Sequence, residues 1–170
     1  MNFLDLAQQR YSCRKFTKKP VEPEKIEQVL AAAIAAPTAV NTQDFRLWLL
    51  TSEQAKADIR AASDYTFGAE NFILLGCRKG GSWTRSFDGQ NYSQVDGAIV
   101  GTHILLAMQD LGLGTTWVGY FDAPTLQQKY PEMQDYDLIG LFPFGYPAED
   151  AQPAPSHYTR KTQDALVKEL

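Results

Sequence analysis

The stretch SQVDGAIVGTHILLAMQDLG, residues 93–112, limits the fold more than any other part of the chain. From Val95 to Met108 nearly every position is apolar or small, with Asp96 and His103 the exceptions. A helix built from this run has no face suited to water and must be covered on all sides. In a chain of 170 residues, some of that cover is expected from a second subunit. Ser93 and Asp96 have the spacing of a capping box in its Ser-x-x-Asp form, which places the expected helix start.

The remaining elements follow from periodicity and punctuation. A short helix is expected over Phe3–Gln9, where Phe3, Leu4, Leu6 and Ala7 give an apolar side. A longer one is expected over 21–37, with Pro23 in its first turn, Ile26, Val29, Leu30, Ala33 and Ile34 at helical spacing, and Pro37 ending it. Strands are expected at 45–50, 71–77, 115–121 and 137–145, the last with an edge or bulge at Pro143. Helices are expected at 52–62, capped by Ser52, at 124–130 and at 162–170. Residues 78–90 have the glycines and separated aromatics of a mobile loop. With no repeat and no linker, the pattern predicts one α+β domain over residues 1–170.

Composition excludes more than it identifies. Apolar residues make up 44% and charged residues 21%, which is ordinary for a globular chain able to bury a core. The net charge of -4 argues against nucleic-acid binding, which needs a basic face to displace counterions. Cys13 and Cys77 are far apart and form neither a metal pattern nor a disulfide framework, so a reducing compartment is expected. The N-terminal residues turn polar at Gln8-Gln9-Arg10, and no apolar run approaches the roughly 20 residues that span a bilayer. No membrane association and a cytoplasmic location are expected.

Three stretches could carry chemistry. In RYSCRKF, residues 10–16, two guanidinium forks and a hydroxyl can grip a phosphate. An extended backbone puts Arg10, Ser12 and Arg14 on one side, whereas a helix aligns only Arg10 and Arg14. The alternative is a basic surface loop balanced by the glutamates of the next helix. In APTAVNTQDF, residues 36–45, Thr38, Asn41 and Gln43 can read polar ligand edges or simply form a polar turn. In LGLGTTW, residues 111–117, Gly112 and Gly114 leave room for a flat ligand or stop the preceding helix. The glycines follow a helix and precede a strand, the reverse of the dinucleotide fingerprint, and no phosphate-loop sequence occurs. His103 and His157 lack the neighbours of a metal site, and no nucleophile elbow is present, so no catalytic side chain and no metal ligand are assigned.

Taken in order, these stretches resemble the FMN-dependent nitroreductase family. RYSCRKF is similar to its Arg-x-Ser-x-Arg opening, and APTAVNTQDF to its Ala-Pro-Ser-x-x-Asn-x-Gln-Pro-Trp stretch. LGLGTTWVGYF resembles its Gly-Leu-Gly-x-x-Trp-x-Gly segment. FGYP, followed by Tyr158-Thr159-Arg160-Lys161, resembles its closing Gly-Tyr-Pro and basic pair. The resemblance implies a central, mostly antiparallel sheet flanked by helices, and a homodimer in which the hydrophobic helix 94–110 packs against its mate. It implies that Arg10, Ser12 and Arg14 hold the FMN phosphate and ribityl chain, with Arg160 and Lys161 adding charge. Pro37, Thr38, Asn41 and Gln43 would approach the flavin from the other subunit, and Gly112, Gly114 and Thr115 would line its ring.

The implied activity is transfer of reducing equivalents from NADH or NADPH to an electron-poor acceptor such as a nitroaromatic or quinone, with FMN supplying the redox chemistry. A related flavoenzyme acting on unsaturated or halogenated compounds, or a flavin-binding regulatory protein, fits the same motifs. Trp83, Phe87, Tyr92, Trp117 and Tyr120 either shape a stacking space or pack as core and lid. The chain departs from the family pattern at Thr38, where serine is common, at Asp44-Phe45 in place of Pro-Trp, and at Thr116 in place of a frequent cysteine. The usual lid insertion is expected to shrink to the 78–92 loop.

Overall fold

The computed structural model describes residues 2–170. The helices are α1 (Phe3–Gln9), α2 (Pro23–Ile34), α3 (Glu53–Ala62), α4 (Ser93–Asp110), α5 (Ala123–Lys129) and α6 (Gln163–Leu166). The strands β1 (Phe45–Leu50), β2 (Asn71–Arg78), β3 (Gly114–Thr115) and β4 (Tyr136–Gly145) form one antiparallel sheet in the order β1-β2-β4-β3. Phe72, Ile73, Leu74 and Leu75 of β2 are all fully buried. Ile73 and Leu75 pack with Val29 and Ala33 of α2 and with Val100, Ile104 and Met108 of α4. Phe72 and Leu74 pack with Ile59 of α3 and Leu126 of α5. A strand covered on both faces needs no polar alternation, which is why it reads as an unbroken apolar run.

Helix ends follow the punctuation of the sequence. Pro23 occupies the first turn of α2, and Ser52 caps α3 by accepting from the Ala55 N–H at 3.1 Å. The C-terminus of α4 closes when the Gly112 N–H donates to the Gln109 carbonyl at 3.1 Å and the Leu113 N–H to that of Met108 at 2.8 Å. That paired closure requires a left-handed residue, and Gly112 supplies it with φ +72°.

Five expectations change, among them the edge or bulge expected at Pro143, which lies instead in the inner strand β4 with the sheet's irregularity at Ile139. The strand expected over 115–121 is only Gly114–Thr115, plus a single bridge in which Val118 and Leu141 exchange backbone bonds. The segment between them leaves the sheet, and this is what lets Pro143 sit in an inner strand. Leu141 bonds toward Val118, so alternation aims the Pro143 nitrogen at the same gap, where no donor is needed. The capping box does not form: Tyr92 occupies the cap position, Ser93 Oγ donates to the Arg78 carbonyl at 3.0 Å, and Asp96 bonds outside the helix. The C-terminal helix shrinks to the single turn of α6, in a segment where residues 158–170 are all exposed and supply no apolar face to the core. The 78–90 stretch folds into a small hairpin, closed by the Thr84–Asn91 bridge, by Arg85 N–H to the Gln90 carbonyl and by an Arg85–Asp88 ion pair.

Trp117 seats α4 on the sheet. Its indole N–H donates to the Ile139 carbonyl at 3.0 Å, at the irregularity where β4 carries one residue more than β2. Its ring lies against the bare α-carbon of Gly101, where an added Cβ would stand 2.2 Å from Cζ3. Gly101→Ala therefore pushes α4 off the sheet, and urea unfolding is expected to register a loss of about 1–3 kcal/mol.

Candidate functional site

The run around Cys13 is extended and joins the sheet edge. Ser12 bridges Thr115 in parallel, and the Cys13 N–H donates to the Thr115 carbonyl at 2.9 Å. The approach is close because Gly114 has no Cβ; one placed there would lie 2.7 Å from Cys13 Sγ. Alternation buries Cys13 and turns Arg10, Ser12 and Arg14 to the opposite side. There they line a basin of about 130 Å³ together with Ala154, Ser156, His157 and Arg160.

The electrostatics of this basin are unbalanced. Among the described residues, Arg10, Arg14 and Arg160 form no ion pair with a carboxylate. Burial, and then the charge of Arg160, pull the Arg10 guanidinium below its ordinary pKa. Arg14 donates to the Ser12 carbonyl at 3.2 Å, and Arg160 to the Thr159 carbonyl at 2.9 Å, so both are steered by backbone dipoles. Convergent cations with open donors are the chemistry of an anion seat.

Arg14 also lines a second cavity of about 250 Å³, walled by Thr116, Trp117, Val118, Gly119 and Tyr120, with Tyr65 and Phe67 opposite. Tyr65 meets Tyr120 edge-on with ring centroids 5.8 Å apart, and Phe67 at a tilt with centroids 6.1 Å apart. Ser63 Oγ donates to the Tyr120 carbonyl at 2.7 Å, which ties the two loops that form this wall. The cavity suits a flat apolar body next to a charge.

The other polar stretch lies at the far end of α4. Pro37, Asn41 and Gln43 are exposed and Thr38 is half-buried. Val40, Asn41 and Gln43 have φ of 46°, 56° and 54°, a left-handed series that costs energy in residues other than glycine. Thr38 Oγ1 accepts from the Gln43 N–H at 3.0 Å, and the Asp96 carboxylate accepts from the Ala39 N–H at 2.8 Å. Gln43 Nε2 donates to the Asn41 backbone carbonyl at 3.3 Å and the Asn41 N–H donates to the Thr38 carbonyl at 3.0 Å, while the Asn41 side-chain amide forms no hydrogen bond among the described residues. Asp44, one of the departures from the family pattern, accepts from the Ser82 N–H at 2.9 Å and faces Arg78.

The fold thus gathers Arg10, Ser12, Arg14 and Arg160 and keeps Pro37, Thr38, Asn41 and Gln43 apart from them. Lys161 is exposed and does not line the basin. Gly114 and Thr115 are buried behind the Cys13 strand, with Thr115 Oγ1 donating to the Pro143 carbonyl at 2.9 Å, and Gly112 shapes the turn before them. The open wall belongs to the next five residues. Tyr65, Phe67, Ser156 and His157 join the site without a motif to announce them; the one signal was the aromatic-glycine cluster at 65–68. Trp117 serves as packing, half-buried and edge-on to Phe142 at 5.1 Å. No group of acidic, histidine or cysteine residues among those described could hold a metal, and no described helix is long and apolar enough to cross a membrane.

The profile of the nitroreductase family matches residues 7–68 and 66–146. The chain belongs to that family. A nitroreductase family protein of Clostridium difficile 630 has the same fold, with a TM-score of 0.90 and 32% identity over 99% of this chain and 98% of that one. A Desulfovibrio desulfuricans protein solved in complex with FMN superposes with a TM-score of 0.82, at 24% identity over 100% of this chain and 98% of its own. A Methanothermobacter thermautotrophicus protein assigned as an NADH dehydrogenase/NAD(P)H nitroreductase is 25% identical over 162 residues, covering 88% of this chain and 80% of the relative.

Three arginines that share a basin and form no ion pair among the described residues repel one another, at some cost to the fold. Arg160→Ala is expected to raise the stability of the ligand-free protein at low ionic strength by about a few tenths of a kcal/mol. Thermal melts with and without added salt check this, since salt should erase the difference.

Proposed function

We propose that this nitroreductase-family protein is an FMN-dependent oxidoreductase that passes reducing equivalents from NADH or NADPH to a small electron-poor acceptor, such as a nitroaromatic or quinone. The observation that carries the reading is the convergence of Arg10, Arg14 and Arg160 on one basin with no carboxylate among the described residues to neutralise them. A phosphate monoester supplies the missing charge, and Arg14 joins that basin to the aromatic cavity suited to a flat ring. FMN, when bound, supplies the redox chemistry between nicotinamide and acceptor.

The protein's part is to hold and to orient. Arg10, Ser12 and Arg160, with His157 beside them, would hold the phosphate. Arg14 would place a fixed positive charge next to the ring, where it favours added negative charge. Residues 116–120 would form the ring's protein face, with Gly112, Gly114 and Thr115 carrying that segment from behind. Tyr65, Phe67 and Tyr120 would exclude water from one side. No side-chain nucleophile is required.

The same reading makes the protein a homodimer with shared sites. The basin lies beyond the C-terminus of α4, and the 37–43 loop is pinned to Asp96 in its first turns. Between Asp96 and Asp110 a helix rises about 20 Å, farther than side chains of one subunit can bridge. An antiparallel mate brings each loop to the opposite basin. Val95, Ala98 and Thr102 form an exposed stripe on α4, flanked by exposed Phe3, Leu4, Ile34 and Val40. Such a patch on a soluble chain marks an association surface. The buried, unpaired Cys13 and Cys77 agree with a reducing cytoplasmic location.

The test is reconstitution with FMN, followed by anaerobic mixing with NADH or NADPH and then with a nitroaromatic. Flavin bleaching and acceptor-dependent recovery are expected; a folded protein that binds no FMN ends the proposal. Arg14→Ala should weaken FMN binding about 10-fold or more in a fluorescence titration, because a charge-assisted partner is lost.

A further inference from the structure

Asp96 is 5% exposed and forms no ion pair among the described residues. A carboxylate so placed must be satisfied by hydrogen-bond donors, and here both come from other segments. One oxygen accepts from the Ala39 N–H at 2.8 Å; the other accepts from Ser82 Oγ. Ser82 reaches back as well, accepting from Thr42 Oγ1 at 3.4 Å and donating its N–H to Asp44 at 2.9 Å. Ser82 has φ +65°, so it too is held in an unfavourable backbone region. The residue expected to cap its own helix is spent on the 38–43 loop and the 79–92 hairpin.

We infer that Asp96 is a positioning residue for the flavin site of the opposite subunit, an inference that rests on the shared-site reading above. Val40, Asn41 and Gln43 stay left-handed only while something outside the loop holds them. Asp96 is the buried anchor that does so, and through Ser82 it locks the hairpin to the loop. The loop of one subunit faces the basin of the other, so losing the anchor damages the site across the interface and spares the site containing that subunit's own arginines.

A mixed dimer separates these cases. One chain carries Asp96→Ala and the other Arg10→Ala, with different tags for purification. If Asp96 acts across the interface, one site combines intact arginines with an intact loop and the second site takes both defects. The expected result is one FMN per dimer at wild-type affinity. If Asp96 acts within its own subunit, each site carries one defect and no wild-type site remains, which overturns the inference. In the Asp96→Ala homodimer both sites should weaken about 10-fold, and Asp96→Asn, which keeps an acceptor for the Ala39 N–H, should recover most of the affinity. An Asp96→Ala homodimer that binds FMN like wild type sinks the positioning role and leaves the proposed activity standing. A wild-type protein that binds no FMN ends both. Should Asp96→Ala fail to fold, Ser82→Gly replaces it in the mixed dimer, since glycine accepts the φ of Ser82 and keeps its N–H while removing the hydroxymethyl group that bonds Asp96.

Discussion

The seating of α4 against the sheet is the contact on which the other features depend. It works because Trp117 fits between a helix position without a side chain, Gly101, and a strand irregularity that leaves the Ile139 carbonyl open to the indole N–H. A flat, hydrogen-bonded ring at this point fixes the helix with little freedom to slide, as close packing demands. Once α4 is placed, its two ends are placed. One end delivers Asp96 to the polar loop, and the other delivers the Gly112 turn that starts β3 and receives the Ser12–Cys13 strand.

Local signals read well wherever local physics decides. Pro23, Ser52 and Gly112 set helix ends that the sequence announces, and the unbroken apolar run at 71–77 is a strand because both its faces are covered. The one-sided placement of Arg10, Ser12 and Arg14 follows from an extended backbone, and that backbone is imposed by pairing with Thr115, a long-range event. Signals failed where tertiary contacts outbid local ones. Asp96 has capping spacing, but its carboxylate is captured by Ala39 and Ser82. TTWVGYF has strand composition, but Trp117 must turn into the core, so the segment leaves the sheet. Tyr65, Phe67 and His157 could not be placed at the site because only the folded chain brings their loops beside Arg14 and Arg10.

The arginine basin and the 37–43 loop are each held in states that an isolated chain would avoid. At one end three arginines share a basin without a counter-charge; at the other, three residues other than glycine are left-handed in succession with one interruption. These are opposite kinds of stress, one electrostatic and one conformational, and each has its own restraint. Backbone carbonyls steer Arg14 and Arg160, and a buried carboxylate anchors the loop. Concentrated local cost of this sort is typical of a surface shaped for a ligand.

The length of α4 has a consequence of its own. The helix acts as a spacer gauge, setting the distance between a subunit's arginine basin and its polar loop. One inserted residue would twist the far end by about 100° and advance it about 1.5 Å. In the proposed two-fold assembly the error would be made twice, once for each site. An insertion at the tip of the 79–92 hairpin, beyond the Thr84–Asn91 bridge, would leave that distance unchanged; one inside α4 would not.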